Sequence, residues 1–341
     1  MSKHYNKSIT PVDEYKFHLC NELEVMAKEE LRETNEMRKH AIKAMREWIM
    51  KSDRILITRM DAKYLLRFLR FRKFSVPMAM EALERYLVIK QGKYGMGWLD
   101  NLDYDKPSIL KLIDDGFVFF LPQRDFMGRK IIFYRPGVAD PKSPSVGYDV
   151  LILLSLVYEL VLEDEENQIR GVIHLADAQN IRMPHFTVFS PQYSFRVGKN
   201  TEKTLALRHK AFHIVNVHKS INLISDFIMS HMGEKLRKRT HMYSSFDDFK
   251  AIERKNLPLE YGGTTSMRTM IESLKKELAD NQKISMLLNQ TRVNVDKYPK
   301  AVLEGSVKSL KYLLNSSEIY EKFKNQDIYG LQGSFRKLEI D

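Results

Sequence analysis

Few residues in this chain are arranged for catalysis or for metal binding. Cys20 is the one cysteine, and the charged stretch around it offers no base that would activate its thiol. His209 and His213 would share one face of a strand, and His218 follows, but no Cys or carboxylate lies nearby at metal-ligand spacing. The acidic run at residues 163–166 is typical of a solvated helix end. These residues favour neither a catalytic nucleophile nor a bound metal.

Sequence motifs for nucleotide or acyl chemistry are also absent. The chain contains neither the phosphate-binding G-x-x-x-x-G-K-[ST] sequence nor the G-x-S-x-G turn of serine hydrolases. Gly92, Gly95 and Gly97 are clustered, but their spacing differs from the dinucleotide fingerprint and they follow a helical pattern. We therefore expect a binding protein that is not an enzyme and that needs no cofactor.

The net charge of the chain is strongly positive. Its formal charge is +11 at pH 7 and its pI is about 9.4, which favours anionic partners, either nucleic acid or acidic lipid headgroups. Aromatic side chains are not interleaved with the basic residues as they are on a base-stacking surface. We therefore expect no nucleic-acid partner, and the sequence identifies no protein partner.

No segment of the sequence is typical of secretion or membrane insertion. The first residues, MSKHYNKSITPVDEYKF, lack the apolar stretch of a signal peptide. The most apolar run, residues 150–162, is interrupted by Ser155 and Glu159 and is shorter than the roughly 20 residues of a membrane span. The lone cysteine suits a reducing compartment. We expect a cytoplasmic protein whose membrane contact is peripheral and reversible.

The elements that would position these residues fall into three regions. Residues 1–97 have helical periodicity, which predicts one charged amphipathic helix at 13–50 and a sharper helix that begins at Asp61. Residues 98–265 contain two short apolar runs, FVFFLP and KIIFYRP, whose intervening turn predicts a hairpin or adjacent strands. Residues 266–341 are a C-terminal extension, partly helical and partly irregular.

Strand and helix patterns alternate through the second region. In chain order the predicted elements are a helix, a strand, a helix, a strand and a helix, at residues 148–163, 169–178, 190–203, 209–217 and 221–232. Such alternation is typical of a mixed or parallel sheet covered by helices. We predict an α/β domain that follows an all-helical N-terminal module.

Two segments carry more apolar or basic surface than a plain fold requires. The helix at 148–163 is apolar almost all round, and residues 222–232 carry one broad apolar stripe followed by the basic sequence EKLRKR. From the pattern alone, ordinary core packing and a solvated basic face explain both segments better than a ligand site does.

In their chain order, several segments resemble the CRAL-TRIO family of lipid-transfer proteins. The likeness is greatest to the branch that contains the α-tocopherol transfer protein, clavesin and cellular retinaldehyde-binding protein, and the ending GSFRKLEID resembles insect members of this branch. The matching segments are LLRFLRFRKF (65–74), IIFYRPGVADP (131–141), GYDVLILLSLVYEL (147–160), IRGVIHLADAQN (169–180), FHIVNVHKSINLI (212–224), EKLRKRTHMY (234–243) and LPLEYGG (257–263). They extend over residues 45–265, about two thirds of the chain.

The resemblance implies a CRAL-TRIO-N helical module and an α/β domain that encloses one small hydrophobic ligand beneath a lid helix at 221–232. The implied pocket residues are Tyr134, Leu151, Leu154, Tyr158, His174, Ala176, Val197, Leu207, Phe212, Phe227 and Ile228. The tocopherol carrier of the family has serines where this chain has Leu154 and Tyr158, which weakens the case for tocopherol itself. His174 and Tyr158 would offer a polar end to the pocket.

Some members of this branch bind a phosphoinositide headgroup in a basic cleft beside the lid. The resemblance carries that role to Arg70, Arg208, Lys210, Lys235 and Arg239. Arginine and lysine suit phosphate because they form charge-assisted hydrogen bonds with it. We therefore predict an intracellular carrier of a retinoid, tocopherol, carotenoid or similar lipid that exchanges cargo at phosphoinositide-containing membranes. The alternative is a membrane-recruited regulatory module that senses phosphoinositides without transferring cargo.

Overall fold

The computed structural model describes residues 6–91, 102–188, 205–218 and 233–299, together with Met229 and Leu303. These residues form two compact units. The helical unit contains the described residues up to 100, residues 205 and 206, and the described residues from 287 onward. The sheet unit contains the described residues of 101–199 and of 207–286.

The described part of the helical unit is built from helices α1 (Asn21–Leu31), α2 (Asn35–Lys51), α3 (Ala62–Phe71) and α4 (Val76–Gln91), with a short strand, β1 (Ile55–Ile57). The single helix predicted at 13–50 is wrong, because Arg32 adopts a left-handed backbone with a φ of 66° and ends α1. The side chain of Thr34 then caps α2. The helix predicted from Asp61 is confirmed as α3, where the Asp61 carboxylate accepts a hydrogen bond from the Tyr64 N–H at 3.0 Å.

A five-stranded sheet lies at the centre of the sheet unit. Its strands are β2 (Val118–Phe120), β3 (Lys130–Tyr134), β4 (Val172–Asp177), β5 (His209–Val215) and β6 (Thr240–Met242), in that spatial order. β2 is antiparallel to β3, and the other neighbours are parallel. The predicted hairpin and the predicted mixed sheet are both confirmed.

Helices accompany this sheet in the order α5 (Pro107–Asp114), α6 (Val146–Glu163), α7 (Glu165–Arg170), α8 (Met183–Thr187), α9 (Glu234–Arg237) and α10 (Met267–Asp280). The strand predicted at 169–178 begins only at Val172, because Asp164 caps α7 by accepting a hydrogen bond from the Glu166 N–H at 2.9 Å. Gly171, with a φ of 80°, then ends α7. No helix among the described residues is long and apolar enough to cross a membrane.

One face of the sheet is a packed aromatic core. The rings of Phe119 and Phe133 stack with their centroids 5.0 Å apart, and Tyr261 packs on Phe133 at 5.3 Å. The Tyr261 hydroxyl donates a hydrogen bond to the Asp177 carboxylate at 2.6 Å, which fixes the ring. We call this side the aromatic face. The polar residues of the candidate site lie on the opposite side of the sheet.

The stretch predicted as a separate C-terminal extension, 266–341, is divided between the two units in its described part. α10 buries its apolar side in the sheet unit, where it packs on β2, α5 and α6. After α11 (Gln282–Gln290), the strand β7 (Arg292–Val293) pairs antiparallel with β1 in the helical unit. There the Tyr298 hydroxyl donates to the buried Glu84 carboxylate at 2.9 Å. The stretch is divided because α10 packs in the sheet unit, whereas β7 pairs with β1 in the helical unit.

Candidate functional site

An irregularity at the start of β5 decides which side chains face the candidate site. Val172 lies opposite His209, but the next residue of β4, Ile173, lies opposite Ala211, so β5 contains one extra residue. This bulge turns His209 onto the same side of the sheet as Phe212. His213 lies on the aromatic face instead, where its Nδ1 is 3.1 Å from the Tyr243 hydroxyl. The prediction that His209 and His213 share a face is therefore wrong.

Four polar side chains form a continuous hydrogen-bonded row on the side of the sheet opposite the aromatic face. The hydroxyl oxygens of Tyr158 and Tyr134 are 3.2 Å apart, and the Tyr134 oxygen is 2.9 Å from His174 Nδ1. His174 Nε2 is in turn 2.7 Å from His209 Nδ1. We call Tyr158, Tyr134, His174 and His209 the polar row. It joins α6 to three neighbouring strands of the sheet.

Stacked rings hold the centre of the polar row in place. The Phe212 ring lies on the His174 imidazole with centroids 4.3 Å apart and planes within 6° of parallel. His174 is paired with Phe212 in the β4–β5 register, so their side chains emerge together from the same side of the sheet. His174 and Tyr134 are buried, whereas Tyr158 and His209, at the two ends, are only partly buried.

The environment keeps every member of the polar row uncharged near neutral pH. Burial, and next the neighbouring His209, hold the pKa of His174 well below its ordinary value. Burial, and next the charge of Arg239, lower the pKa of His209 to about 4. Burial also raises the pKa of both tyrosine hydroxyls. The polar row therefore offers neutral donors and acceptors and no formal charge.

The structure brings several of the predicted pocket residues to this side of the sheet. Tyr134 is paired with Ala176 in the β3–β4 register, so their side chains lie side by side. Leu151, Leu154 and Tyr158 lie three and four residues apart and share one side of α6. Leu151 and Leu207 are buried, whereas Leu154, Ala176 and Phe212 keep partial exposure. Val197, Phe227, Ile228 and the predicted lid at 221–232, Met229 excepted, lie outside the described residues.

Two of the predicted basic residues lie together beside the bulge. Arg239 donates a hydrogen bond to the carbonyl of His209, and Arg208 donates to a carbonyl of α7. Burial, and next the like charge of Arg208, lower the pKa of Arg239. Lys210 belongs to the bulge itself, and Lys235 is exposed on α9.

Arg70 occupies a different setting, in the interior of the helical unit. Its guanidinium is fully buried and donates two hydrogen bonds to Glu33, at 2.8 and 2.9 Å. Arg38 donates a third to the same carboxylate at 2.8 Å. Burial alone would raise the pKa of Glu33, but the hydrogen bonds and charges of Arg70 and Arg38 hold it below its ordinary value. A phosphate that binds Arg70 would have to displace Glu33.

The sequence did not predict His209 as a member of the candidate site, because the alternation of side chains along a strand does not reveal a bulge. Three or more potential metal ligands do not cluster anywhere in the described parts of the chain. The chemistry available at the polar row is thus hydrogen bonding to a neutral group, beside apolar side chains of α6 and β5.

Comparisons with known proteins agree with this architecture. Residues 114–263 match the CRAL/TRIO domain. The chain is 30% identical over 255 residues to the human α-tocopherol transfer protein-like protein, covering 73% of this chain and 72% of that one. It is 28% identical over 296 residues to clavesin-1 of Xenopus laevis, covering 86% and 88%. The crystal structure of Sfh5 superposes with a TM-score of 0.50 at 13% identity over 77% of this chain and all of that one, a likeness of fold alone.

Proposed function

The chain belongs to the CRAL/TRIO family, and from this we propose that it is a carrier that holds one small hydrophobic lipid against the polar row and α6. The observation that carries the proposal is the mixture of chemistry on one side of the sheet. Apolar side chains of α6 lie beside hydrogen-bonding groups that are uncharged, and a lipid with a polar end needs both.

The ends of the polar row support a cleft rather than a solid core. Tyr158 and His209 keep accessible surface, yet burial shifts the pKa of both groups. A side chain in a packed core would have almost no accessible surface, and a side chain on an open surface would not be desolvated. Accessible surface that is shielded from bulk water is typical of the lining of a ligand cleft.

The similarity to an α-tocopherol transfer protein-like protein supports a lipid as the ligand. Each CH₂ group that a lipid buries contributes roughly 0.8 kcal/mol, so packing against partly exposed apolar side chains such as Leu154 favours binding of a hydrocarbon. A retinoid, tocopherol, carotenoid or similar lipid has the required chemistry. The proposed activity is binding and transfer without catalysis, and it uses no cofactor.

Exchange of cargo at phosphoinositide-containing membranes is the second part of the proposal. The basic residues proposed for the headgroup are Arg208, Lys210, Lys235 and Arg239. Arg70 is left out because it is buried in the helical unit against Glu33. Arg208 and Arg239 both donate to backbone carbonyls near the bulge, and this supports the role, because neighbouring cations suit a multiply charged phosphate better than a neutral partner does. We propose that residues 221–232 act as the lid, and that membrane contact in the cytoplasm is peripheral and reversible.

A charge placed in the cleft tests the carrier proposal. Leu154→Asp would put a carboxylate beside the lipid. Leu160→Asp makes the same change about 120° around α6 from Leu154, at a residue that is also partly exposed. We expect Leu154→Asp to weaken binding of the neutral apolar dye Nile red at least tenfold, and Leu160→Asp to leave it nearly unchanged. Fluorescence titration measures both constants, and equal binding by the two variants would contradict the proposal.

A module that senses phosphoinositides without carrying cargo is the alternative, and the Arg208–Arg239 pair is the observation that favours it. Such a module would bind phosphoinositide vesicles, and Leu154→Asp would not change its binding of Nile red. Vesicle co-sedimentation of the Leu154→Asp variant separates the two activities, since the carrier proposal expects vesicle binding to survive while dye binding is lost.

A further inference from the structure

We propose that the turn between β2 and β3 is a further membrane contact, in which Phe126 and Met127 insert into the interfacial region of a phospholipid bilayer. This inference deepens the proposed exchange at membranes and rests on it. The turn is separate from the basic residues and from the lid of that proposal. It would hold lipid by apolar contact and not by recognition of a headgroup.

The turn presents apolar side chains to solvent. Phe126 is 85% exposed and Met127 is 46% exposed, and the two residues are consecutive. Phe126 has the largest exposed fraction of all large apolar side chains in the described parts of the chain. Single exposed apolar residues are common on protein surfaces, whereas two adjacent ones at the tip of a turn form a compact apolar point that suits a lipid surface.

Hydrogen bonds inside the turn hold this tip in one shape. The Asp125 carboxylate accepts hydrogen bonds from the Met127 N–H at 3.0 Å and from the Arg129 N–H at 2.8 Å. Gly128, with a φ of 71°, donates its N–H to the carbonyl of Asp125 at 2.8 Å. The exposed side chains therefore project from a turn that is already formed, so insertion would order little additional backbone.

Two arginines bind backbone carbonyls of the turn that lipid could not hydrate. Arg170 donates to the Met127 carbonyl at 3.1 Å, and Arg124 donates to the Gly128 carbonyl at 3.0 Å. Backbone groups that enter a bilayer must be hydrogen-bonded within the protein, because an unsatisfied group there is costly. These two carbonyls meet that requirement before the turn contacts any lipid.

The carboxylates around the turn have arginine partners. Arg129 bonds to the Asp125 carboxylate at 2.6 Å. Arg124 bonds to both Asp164, at 2.8 Å, and Glu166, at 3.3 Å. An isolated carboxylate would oppose the approach of the turn to an anionic surface, and pairing with arginine reduces that repulsion and the cost of desolvation.

The turn lies at the same end of the sheet as the proposed headgroup residues. β3, β4 and β5 are parallel and begin side by side, with Lys130 opposite Val172 and Val172 opposite His209. The turn directly precedes β3, and Arg208 directly precedes β5, two strand spacings or about 10 Å away. Anionic headgroups would attract this basic end, so one bilayer can contact the turn and the basic residues together.

Co-sedimentation with vesicles of phosphatidylcholine and phosphatidylinositol bisphosphate tests the inference. Phe126→Ser should bind about tenfold more weakly, because burial of a phenylalanine side chain changes a binding constant by at least that factor. Phe126→Trp should keep the binding. Leu259→Ser is the matched control, because Leu259 is 57% exposed and lies near Tyr261, which contacts the opposite end of β4. All three variants should bind Nile red as the wild type does.

A fluorescent label measures the insertion itself. Cys20 is the one cysteine, so Phe126→Cys or Leu259→Cys in a Cys20→Ser background takes the environment-sensitive nitrobenzoxadiazole label at one position. Vesicles should raise the fluorescence of the label at position 126, and spin-labelled acyl chains should quench it. The label at position 259 should respond little to either.

The outcomes separate this inference from the proposal on which it rests. If wild-type protein sediments with the vesicles and Phe126→Ser sediments equally well, or if both labels respond alike, the inference fails and the proposed membrane exchange stands. If wild-type protein does not sediment with these vesicles, both fail. A dimer in size-exclusion chromatography that Phe126→Ser abolishes would assign the tip to a second copy of this chain and overturn the inference.

Discussion

Gly171 offers a sharp test of how the bulge at His209 is built. A Cβ atom added at Gly171 would lie 2.3 Å from the carbonyl oxygen of Arg208, well inside the 3.0 Å that real Cβ contacts respect. The Arg208 backbone would have to move by roughly 0.7 Å, the difference between those two distances. That movement would strain the hydrogen bond from the Val172 N–H to the same carbonyl, now 3.0 Å long.

The expected cost of Gly171→Ala has two parts. Its φ of 80° and ψ of −171° form a backbone conformation that is essentially confined to glycine and that costs an alanine about 1–3 kcal/mol. Forcing the backbone apart adds about 1–3 kcal/mol, the usual cost of an overpacked site. Gly128→Ala is the matched control, because Gly128 has a φ of 71° but would meet only the flexible Arg170 side chain. That variant should lose only the first part.

Urea unfolding followed by tryptophan fluorescence and by circular dichroism measures the free energy of unfolding of both variants. Gly171→Ala should be less stable than Gly128→Ala by about 1–3 kcal/mol. It should also weaken Nile red binding, because His209 belongs to the displaced segment. Equal stabilities and equal dye binding for the two variants would refute the argument that the Gly171–Arg208 contact fixes the bulge.

Three further predictions concern charges. Arg70→Met should destabilise the helical unit by about 3–5 kcal/mol, because it leaves Glu33 buried with Arg38 alone. Adding Glu33→Met should recover much of the lost free energy of unfolding in urea, and no recovery would contradict the Arg70–Glu33 pairing. Burial raises the pKa of Glu84 from 4.5 to about 7, so the fold binds a proton there and its stability should fall by at most about 3 kcal/mol as pH rises from 4.5 to 7. Glu84→Gln should flatten the dependence of the free energy of unfolding on pH, whereas Glu47→Gln, at an exposed residue, should not. Identical pH dependence for the two variants would contradict the proposed protonation of Glu84. The double variant Lys235→Ala/Arg239→Ala should co-sediment about tenfold more weakly with phosphatidylinositol bisphosphate vesicles at low salt, and the loss should be smaller at high salt. The exposed control pair, Lys39→Ala/Lys43→Ala, should bind the vesicles normally. Full binding by the first double variant would remove Lys235 and Arg239 from the headgroup proposal.

Much of the fold could be predicted from the sequence because its signals are local. The runs FVFFLP and KIIFYRP predict β2 and β3, and the almost wholly apolar pattern at 148–163 predicts α6. The break between α1 and α2 could not be predicted in the same way. Arg32 takes a left-handed conformation that sequence reasoning assigns to glycine, and Thr34 reveals its capping role only once the chain has turned there.

The candidate site depends on contacts between distant residues, which local patterns do not contain. Tyr134, Tyr158 and His174 could be proposed as pocket residues from a family resemblance, but their hydrogen bonds follow from the register of β3, β4 and α6. His209 was not predicted as a site residue, because the bulge in β5 turns its side chain to the other side of the sheet. Arg70 resembled an exposed cation because its partner, Glu33, is 37 residues away in the sequence.

The central claim is that the protein holds one small hydrophobic lipid, and native mass spectrometry of protein purified without detergent tests it most directly. The measurement compares the intact mass before and after organic extraction and identifies the released compound. We predict a single additional mass per chain that disappears on extraction and belongs to a small hydrophobic lipid. Wild-type protein with the mass of the bare chain, and no lipid in the extract, would contradict the claim.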